Sequence, residues 1–259
     1  MKPQTFLVGS TQIDTEGIHR YLHATGQERF FLELTEYQKD HECDADYLLV
    51  SFYAKMCYKS LVVGKNANIK SVRGIDANLG TCFDSGHGSV FEHVWLNWVT
   101  TGCSRVFTHE LVRHRVGTAF SQTSGRYVSV EDANLVHGDD WPEEMAQEAD
   151  YLVARAKAFA AKWRDNLELD EKPMAERKHW TSQIRRVMPV GADNEIGWSC
   201  NVRALRHMIE MRTSRHAEWE IRYVFNEVAE IVARRWPILL YGHEGTQFDG
   251  LWEYTNLRV

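Results

Sequence analysis

Nowhere does the chain carry an uninterrupted apolar run of the roughly 18 residues that a membrane-spanning helix requires. Its start, MKPQTFLVGSTQID, also lacks the charged head and long apolar stretch of a secretory signal, so the sequence predicts a cytoplasmic protein that does not engage a membrane. Cysteine is sparse and scattered. Cys43, Cys57, Cys82, Cys103 and Cys200 lie far apart and form no CxxC pair, which argues against a disulfide framework or a CxxC metal or redox site and predicts reduced thiols. A basic excess is missing too: 30 Lys and Arg against 36 Asp and Glu leave a net charge of −6, the wrong sign for coating the phosphates of a nucleic acid. No internal repeat, low-complexity tract or Pro/Gly/Ser linker divides the chain, and residues 1–259 are read as one domain.

Several common site signatures are broken or missing. Gly86-His87-Gly88 opens like a dinucleotide fingerprint, but Phe91 fills the slot of the third glycine and the motif precedes a strand instead of following one. His109-Glu110 followed by His114 resembles a zinc-protease helix with one residue too many, which sets the two histidines roughly 140° apart around a helix. His87, Glu92, His93, His109 and His114 would have to converge from separate elements to hold a metal, as a metal-dependent hydrolase would need, and no metal site is expected. No phosphate-binding P-loop and no GxSxG elbow occur.

What is present is enough apolar sequence, 44%, for a sizeable core, and elements of both kinds. Asp46 to Tyr58 reads as a buried helix, and His93 to Thr101, rich in β-branched and aromatic residues, as a strand that Gly102 breaks. Ser104 is placed to cap a helix carrying Phe107 and Leu111 on one side. A further helix starts near Pro142 with Met145, Ala149, Leu152, Ala156, Phe159 and Trp163 as its apolar stripe. A last one runs from about Val202 to Arg235, with an interruption near Thr213 to Arg215 and Leu205, Ile209, Ile221, Val224, Val228 and Ile231 facing the core. Strands and helices without a βαβ alternation predict an α+β fold, a single domain with a mixed or antiparallel sheet and long helices. Arginine is concentrated in two stretches, Arg105 to Arg126 and Arg185 to Arg222, a pattern suited to a small polyanionic ligand or to solvated helix faces.

The segment Ser104 to Tyr127, SRVFTHELVRHRVGTAFSQTSGRY, places an Arg-His-Arg triplet at the end of an amphipathic helix and follows it with short polar donors. It resembles the signature of the flavin-dependent thymidylate synthases, matched at Arg113, His114, Arg115, Ser124, Arg126 and Tyr127. Ala54 to Tyr58 (AKMCY), His87 to His93 (HGSVFEH), Arg185 to Pro189, Asn201 to Arg212 and His216 to Ile221 (HAEWEI) resemble further elements of that family, in its order.

The resemblance implies the fold of that family and a homotetramer with active sites shared between subunits, binding FAD, dUMP, methylenetetrahydrofolate and NADPH. Carried over residue by residue, it puts FAD on Ser89, Arg113, His114, Arg115, Gln122, Asn201, Arg203 and His207, with His87 beside the folate near the flavin. It puts the nucleotide on Glu110, Arg113, Gln122, Ser124, Gly125, Arg126, Arg185 and Arg212, with Arg212 as the catalytic group that polarises the pyrimidine ring. Read alone, Arg212 could equally cap a helix end or pair with Glu210 or Glu218. Two departures bear on substrate choice: eight residues instead of seven separate Arg115 from Ser124, and Glu110 stands where the family usually has glutamine. Glu110 would lie near the nucleotide if its helix continued to Arg115. It then implies either dUMP with the carboxylate neutralised by an arginine, or a different pyrimidine nucleotide such as dCMP or a hydroxymethylated product. A flavin- and nucleotide-binding protein without turnover is the non-enzymatic alternative.

Overall fold

Alternation along one strand organises the centre of the molecule. The structure, a computed structural model, describes residues 2–40, 47–127 and 133–256; Cys43, Asp46 and Asp132 lie outside them. Strand β1 (Gln4–Ser10) leads the chain. Helices α1 (Thr15–Thr25), α2 (Arg29–Asp40), α3 (Leu48–Cys57) and α4 (Ile75–Asp84) follow, then a short 3₁₀ turn at Gly88–His93. In β2 (Trp95–Ser104) Leu96, Trp98 and Thr100 turn inward while Trp95, Asn97 and Val99 stay half-buried. Helix α5 (Arg105–Leu111), β3 (Thr118–Gln122), α6 (Glu143–Asn166) and α7 (Met174–Ile184) come next. The chain ends with β4 (Asp193–Asn201), α8 (Val202–Thr213), α9 (Trp219–Arg235) and the hairpin β5 (His243–Phe248) and β6 (Leu251–Asn256).

The main sheet has the order β1-β2-β4-β3 with every pairing antiparallel. Trp98 lies opposite Trp198 in register, the rings stacked with centroids 5.5 Å apart, and the Trp198 indole donates to Thr100 Oγ1 at 3.1 Å. Phe225 of α9 packs on Trp198 at 5.8 Å, so α9 and α8 cover this face with Ile221, Val224, Val228, Leu205 and Ile209, all buried. The same core takes in Leu22, Leu34, Leu48 and Leu79 from the four N-terminal helices. Among the described residues no helix is long and apolar enough to cross a membrane.

Two local expectations, the bounds of the central strand and the stripe on α6, are corrected, and the interruption of the C-terminal helix is borne out. The strand begins at Trp95, because His93 closes the 3₁₀ turn, and Gly102 does not end it. Gly102 sits at φ 63° in a bulge between Thr101 and Cys103; the extra residue lets Cys103 take the inward position and carries the strand on to Ser104. The long C-terminal helix is two helices, split after Thr213 as the interruption foresaw, with Ile231 only half-buried. The stripe expected on α6 does not face the core: Val153 and Ala160 are its buried residues, while Met145, Leu152, Phe159 and Trp163 are 47%, 62%, 41% and 40% exposed. The helix is turned so that another face meets the body, and much of the apolar row is left exposed.

Ser104 joins three of these elements. Its N–H donates to Glu220 Oε1 at 2.6 Å, its hydroxyl donates to Glu220 Oε2, and its Oγ accepts from the Phe107 N–H at 3.2 Å to cap α5. Glu220 is 3% exposed, and burial drives its carboxyl pKa upward against these hydrogen bonds. Glu220→Ala is expected to cost on the order of 3 kcal/mol in denaturant unfolding, because two buried donors lose a charged acceptor, and Glu220→Gln distinctly less. A loss below about 1 kcal/mol for the alanine variant would show that this clasp contributes little.

Candidate active site

Capped by Ser104, α5 runs only to Leu111 and not on to Arg115 as expected. The reason is a tightening of the backbone: Arg113 N–H reaches the Glu110 carbonyl at 3.2 Å and His114 N–H the Leu111 carbonyl at 3.1 Å, three-residue turns that end the helix. Gly117, at φ 69°, then swings the chain into β3. The triplet therefore splays. Arg113 and Arg115 are exposed and form no ion pair among the described residues, whereas the His114 ring turns inward.

It meets α8. Asn201 caps that helix, its Oδ1 accepting from the Ala204 N–H at 2.9 Å, and Arg203 and His207, four residues apart, share a face. In the last turn, Arg212 Nε donates to His114 Nε2 at 2.7 Å, one terminal nitrogen donates to Glu110 Oε2 at 2.7 Å, and the other to the Glu110 carbonyl at 3.2 Å. The partner of Arg212 is thus Glu110, not Glu210 or Glu218, and Glu110 is the carboxylate neutralised by an arginine. His207 approaches edge-on, its ring 6.1 Å from that of His114. Burial, then the Arg212 charge, then His207 lower the His114 pKa to about 4. A neutral ring that accepts at Nε2 carries its proton on Nδ1.

The other residues singled out in the sequence fall around this cluster. Gln122, at the end of β3, donates from Nε2 to Thr108 Oγ1 at 3.1 Å, which ties β3 to α5. Ser124 Oγ accepts from the Arg126 N–H at 3.4 Å in a turn that leaves the Arg126 side chain exposed. Gly125 and Arg185 line a cavity of about 600 Å³ together with Arg105 and Arg186, and Arg212, Arg113 and Arg126 are not in its lining. Burial and the neighbouring Arg185 lower the Arg105 pKa. Arg105 and Arg186 had no role in the sequence reading; position within an arginine-rich stretch was the only signal for them.

Ser89 is exposed in the 3₁₀ turn, next to Gly88. A Cβ on Gly88 would stand 2.8 Å from Arg203 Nε, and one on Gly117 2.5 Å from Asn201 Nδ2, so both backbones lie close against α8 side chains. Arg203 also pairs with Glu92 at 2.5 Å. The remaining candidate metal ligands take separate partners: His87 Nε2 is 3.5 Å from the Tyr58 hydroxyl, and His93 stacks on Tyr53 at 3.9 Å. Among the described residues no three potential ligands converge on a common point. The two glutamates of HAEWEI are structural: Glu218 caps α9, accepting from the N–H groups of Glu220 at 2.8 Å and Ile221 at 3.4 Å, and Glu220 holds Ser104.

Comparison with known proteins decides the family. The profile described as "Thymidylate synthase complementing protein" matches residues 39–238. The chain belongs to this family. The flavin-dependent thymidylate synthase of Mycobacterium tuberculosis is 34% identical over 215 residues, covering 79% of this chain and 82% of its own, and that of Mycobacterium avium is 35% identical over 219 residues, covering 81% and 84%. The fold matches the crystal structure of the flavin-dependent thymidylate synthase ThyX from Helicobacter pylori complexed with FAD and dUMP, at a TM-score of 0.55 and 18% identity over 71% of this chain and 87% of that one. As a member of the thymidylate synthase complementing family, the chain keeps the Ser104 clasp, the Arg212 cluster and the Arg185 cavity inside the matched span.

The cluster has a pH signature. His114 and His243 both have folded pKa values of about 4 against 6.5 for the free side chain, His243 through burial first and the nearby Arg206 second. As pH falls the unfolded chain takes up these protons first, so the stabilisation is complete above about 6.5 and is lost progressively toward 4. The midpoint of thermal unfolding is expected to drop between pH 7 and pH 5, and by less in His114→Gln. An equal drop in both proteins would show that His114 stays neutral in neither state or titrates alike in both.

Proposed function

We propose that the protein is a flavin-dependent thymidylate synthase that binds FAD and converts dUMP to dTMP, taking the carbon from methylenetetrahydrofolate and reducing equivalents from NADPH in the cytoplasm. The observation that carries this reading is the Arg212 guanidinium pinned between Glu110 and His114 in a chain of this family. The residues present fit a flavin nucleotide: Gly88 and Gly117 keep the backbone close to Arg203 and Asn201, where a Cβ would intrude, and Arg113 and Arg115 remain exposed for an anion. Ser89, Arg113, His114, Arg115, Gln122, Asn201, Arg203 and His207 would hold it, and when bound it supplies hydride and one-carbon transfer.

The chain's own contribution is positioning and polarisation. Arg212 engages three of its N–H groups with Glu110 and His114, and its two remaining donors face no acceptor that these bonds define, leaving them for a pyrimidine carbonyl. A fixed guanidinium beside the uracil favours its anionic form and raises electron density at carbon 5, with no reorganisation required at the moment of reaction. His114, held neutral, fixes the orientation of Arg212 without adding a competing charge. Arg105 and Arg185, two nearby guanidiniums at the cavity, suit the nucleotide phosphate, whose charge relieves their repulsion; Gln122, Ser124, Gly125, Arg113 and Arg126 complete the nucleotide contacts. Arg212 neutralises the Glu110 carboxylate through Oε2, which matches the dUMP reading in which an arginine compensates that charge. A homotetramer with shared sites is supported by the exposed row Met145, Leu152, Phe159 and Trp163 on α6, an apolar surface of the kind that subunit contacts bury.

Purified protein is expected to be yellow, with a flavin spectrum, and to form dTMP, identified by mass, from dUMP with methylenetetrahydrofolate and NADPH. A colourless preparation that also fails to take up added FAD would overturn the reading. Arg212→Ala should retain flavin while kcat falls on the order of 100-fold or more, the effect of losing one fixed electrostatic contact to the reacting group. Arg113→Ala should lose flavin as well as activity, measured by the ratio of flavin to protein absorbance after gel filtration.

A further inference from the structure

Between Asp46 and Asp76 the sequence contains Lys55, Lys59, Lys65, Lys70 and Arg73 and no carboxylate, in a chain whose net charge is −6. The fold closes part of this segment over a cavity of about 390 Å³ between α3, α4 and the loop joining them. Lys55, Lys70, Arg73, Tyr58, His87 and Asn78 are among its lining residues, and no acidic side chain lines it. Lys55 is 1% exposed and already compensated: its Nζ donates to Glu33 at 3.0 Å and lies 4.7 Å from the Phe30 ring, so its charge serves to seat α3. Lys70 and Arg73 are different. Both are exposed, and their hydrogen bonds go to uncharged oxygens, Lys70 Nζ to the Ala67 carbonyl at 2.9 Å and Arg73 to Thr81 Oγ1 at 3.0 Å. Each bond holds its cation in place without neutralising it.

A further feature biases the cavity toward an anion with a ring attached. Tyr58 and His87 stand in the lining as a tilted pair, with ring centroids 5.9 Å apart. Solvated surface lysines would scatter and mix with acids; here the two uncompensated cations line one partly open cavity from which carboxylates are absent. That volume lies near the lower end of the range for ligand sites, room for the end of a ligand and not for a whole folate or dinucleotide.

We propose that this cavity is a separate subsite for the anionic tail of a co-substrate of the synthase, gripping carboxylate or phosphate with Lys70 and Arg73 while Tyr58 and His87 face the ring that precedes the tail. The proposal rests on the thymidylate synthase reading, through His87, which joins the cavity to the place proposed for the folate. Two co-substrates carry suitable chemistry: a folate with its glutamate carboxylates, and NADPH with its 2′-phosphate.

The test is equilibrium titration of the flavin-loaded protein, wild type and Lys70→Ala/Arg73→Ala, with monoglutamyl and triglutamyl tetrahydrofolate, with NADP⁺ and NAD⁺, and with dUMP as reference. Both side chains are exposed and outside the core, and Lys70→Arg/Arg73→Lys, which keeps the charges, controls for altered shape. If the tail is a polycarboxylate, the double alanine variant binds triglutamyl folate at least about tenfold more weakly and loses any preference over the monoglutamyl form, while dUMP affinity stays within about twofold. If it is a phosphate, the same loss falls on NADP⁺ relative to NAD⁺. Unchanged affinity for all four co-substrate forms overturns the proposal, as does an equal weakening of every ligand including dUMP. Failure of the wild type to make dTMP would instead count against the synthase reading, which the titrations, read without turnover, do not presuppose.

Discussion

The clasp between Ser104 and Glu220 is the constraint on which the arrangement of the site depends. A single serine ends β2, caps α5 and is held through both its N–H and its hydroxyl by a buried carboxylate of α9. The strand, the short helix and the covering helix therefore cannot shift independently. Because α5 is only seven residues long, its far end inherits the position of its cap, and that end carries Glu110 and leads directly to His114. The geometry around Arg212 is in this sense set about two turns away, by an interaction that does not itself touch Arg212.

Charge placement follows a consistent logic. Acidic residues outnumber basic ones, yet the cations at the site are few, focused and treated in distinct ways. Arg212 is paired and pinned, which holds its direction constant; His114 is kept neutral beside it by burial and by that same charge. Arg105 and Arg185 are brought near each other and partly desolvated, a state that an anionic ligand relieves. Arg113 and Arg115 are left in solvent. A pinned arginine suits polarisation of a reacting ring, and a repelling pair suits capture of phosphate, so one residue type serves two purposes through its surroundings alone.

The exposed row on α6 belongs to the same picture. A helix of 24 residues buries only Val153 and Ala160, while its apolar side chains at Met145, Leu152, Phe159 and Trp163 stay partly exposed. Burial against another surface would supply the hydrophobic contact that the single chain does not.

By itself the sequence determined the class of the fold and the family. The β-branched and aromatic content of His93 to Thr101 and the capping chemistry of Ser104 are local properties, and the spacing Arg113 to Tyr127 is a linear one, so each is readable without knowing what lies across the molecule. Contacts between distant segments are not. That Arg212 pairs with Glu110, 102 residues earlier, and not with Glu210 or Glu218 on its own stretch depends on how α8 crosses the end of α5. Gly102 read as a strand breaker because glycine does usually interrupt pairing, and only the pairing with β4 makes it a bulge. The α6 stripe has helical periodicity whether it meets a core or another molecule, since a repeat of 3.6 states that a face is apolar and not what covers it. Tertiary structure alone decided those partners, because each depends on the distance between residues that the chain keeps far apart.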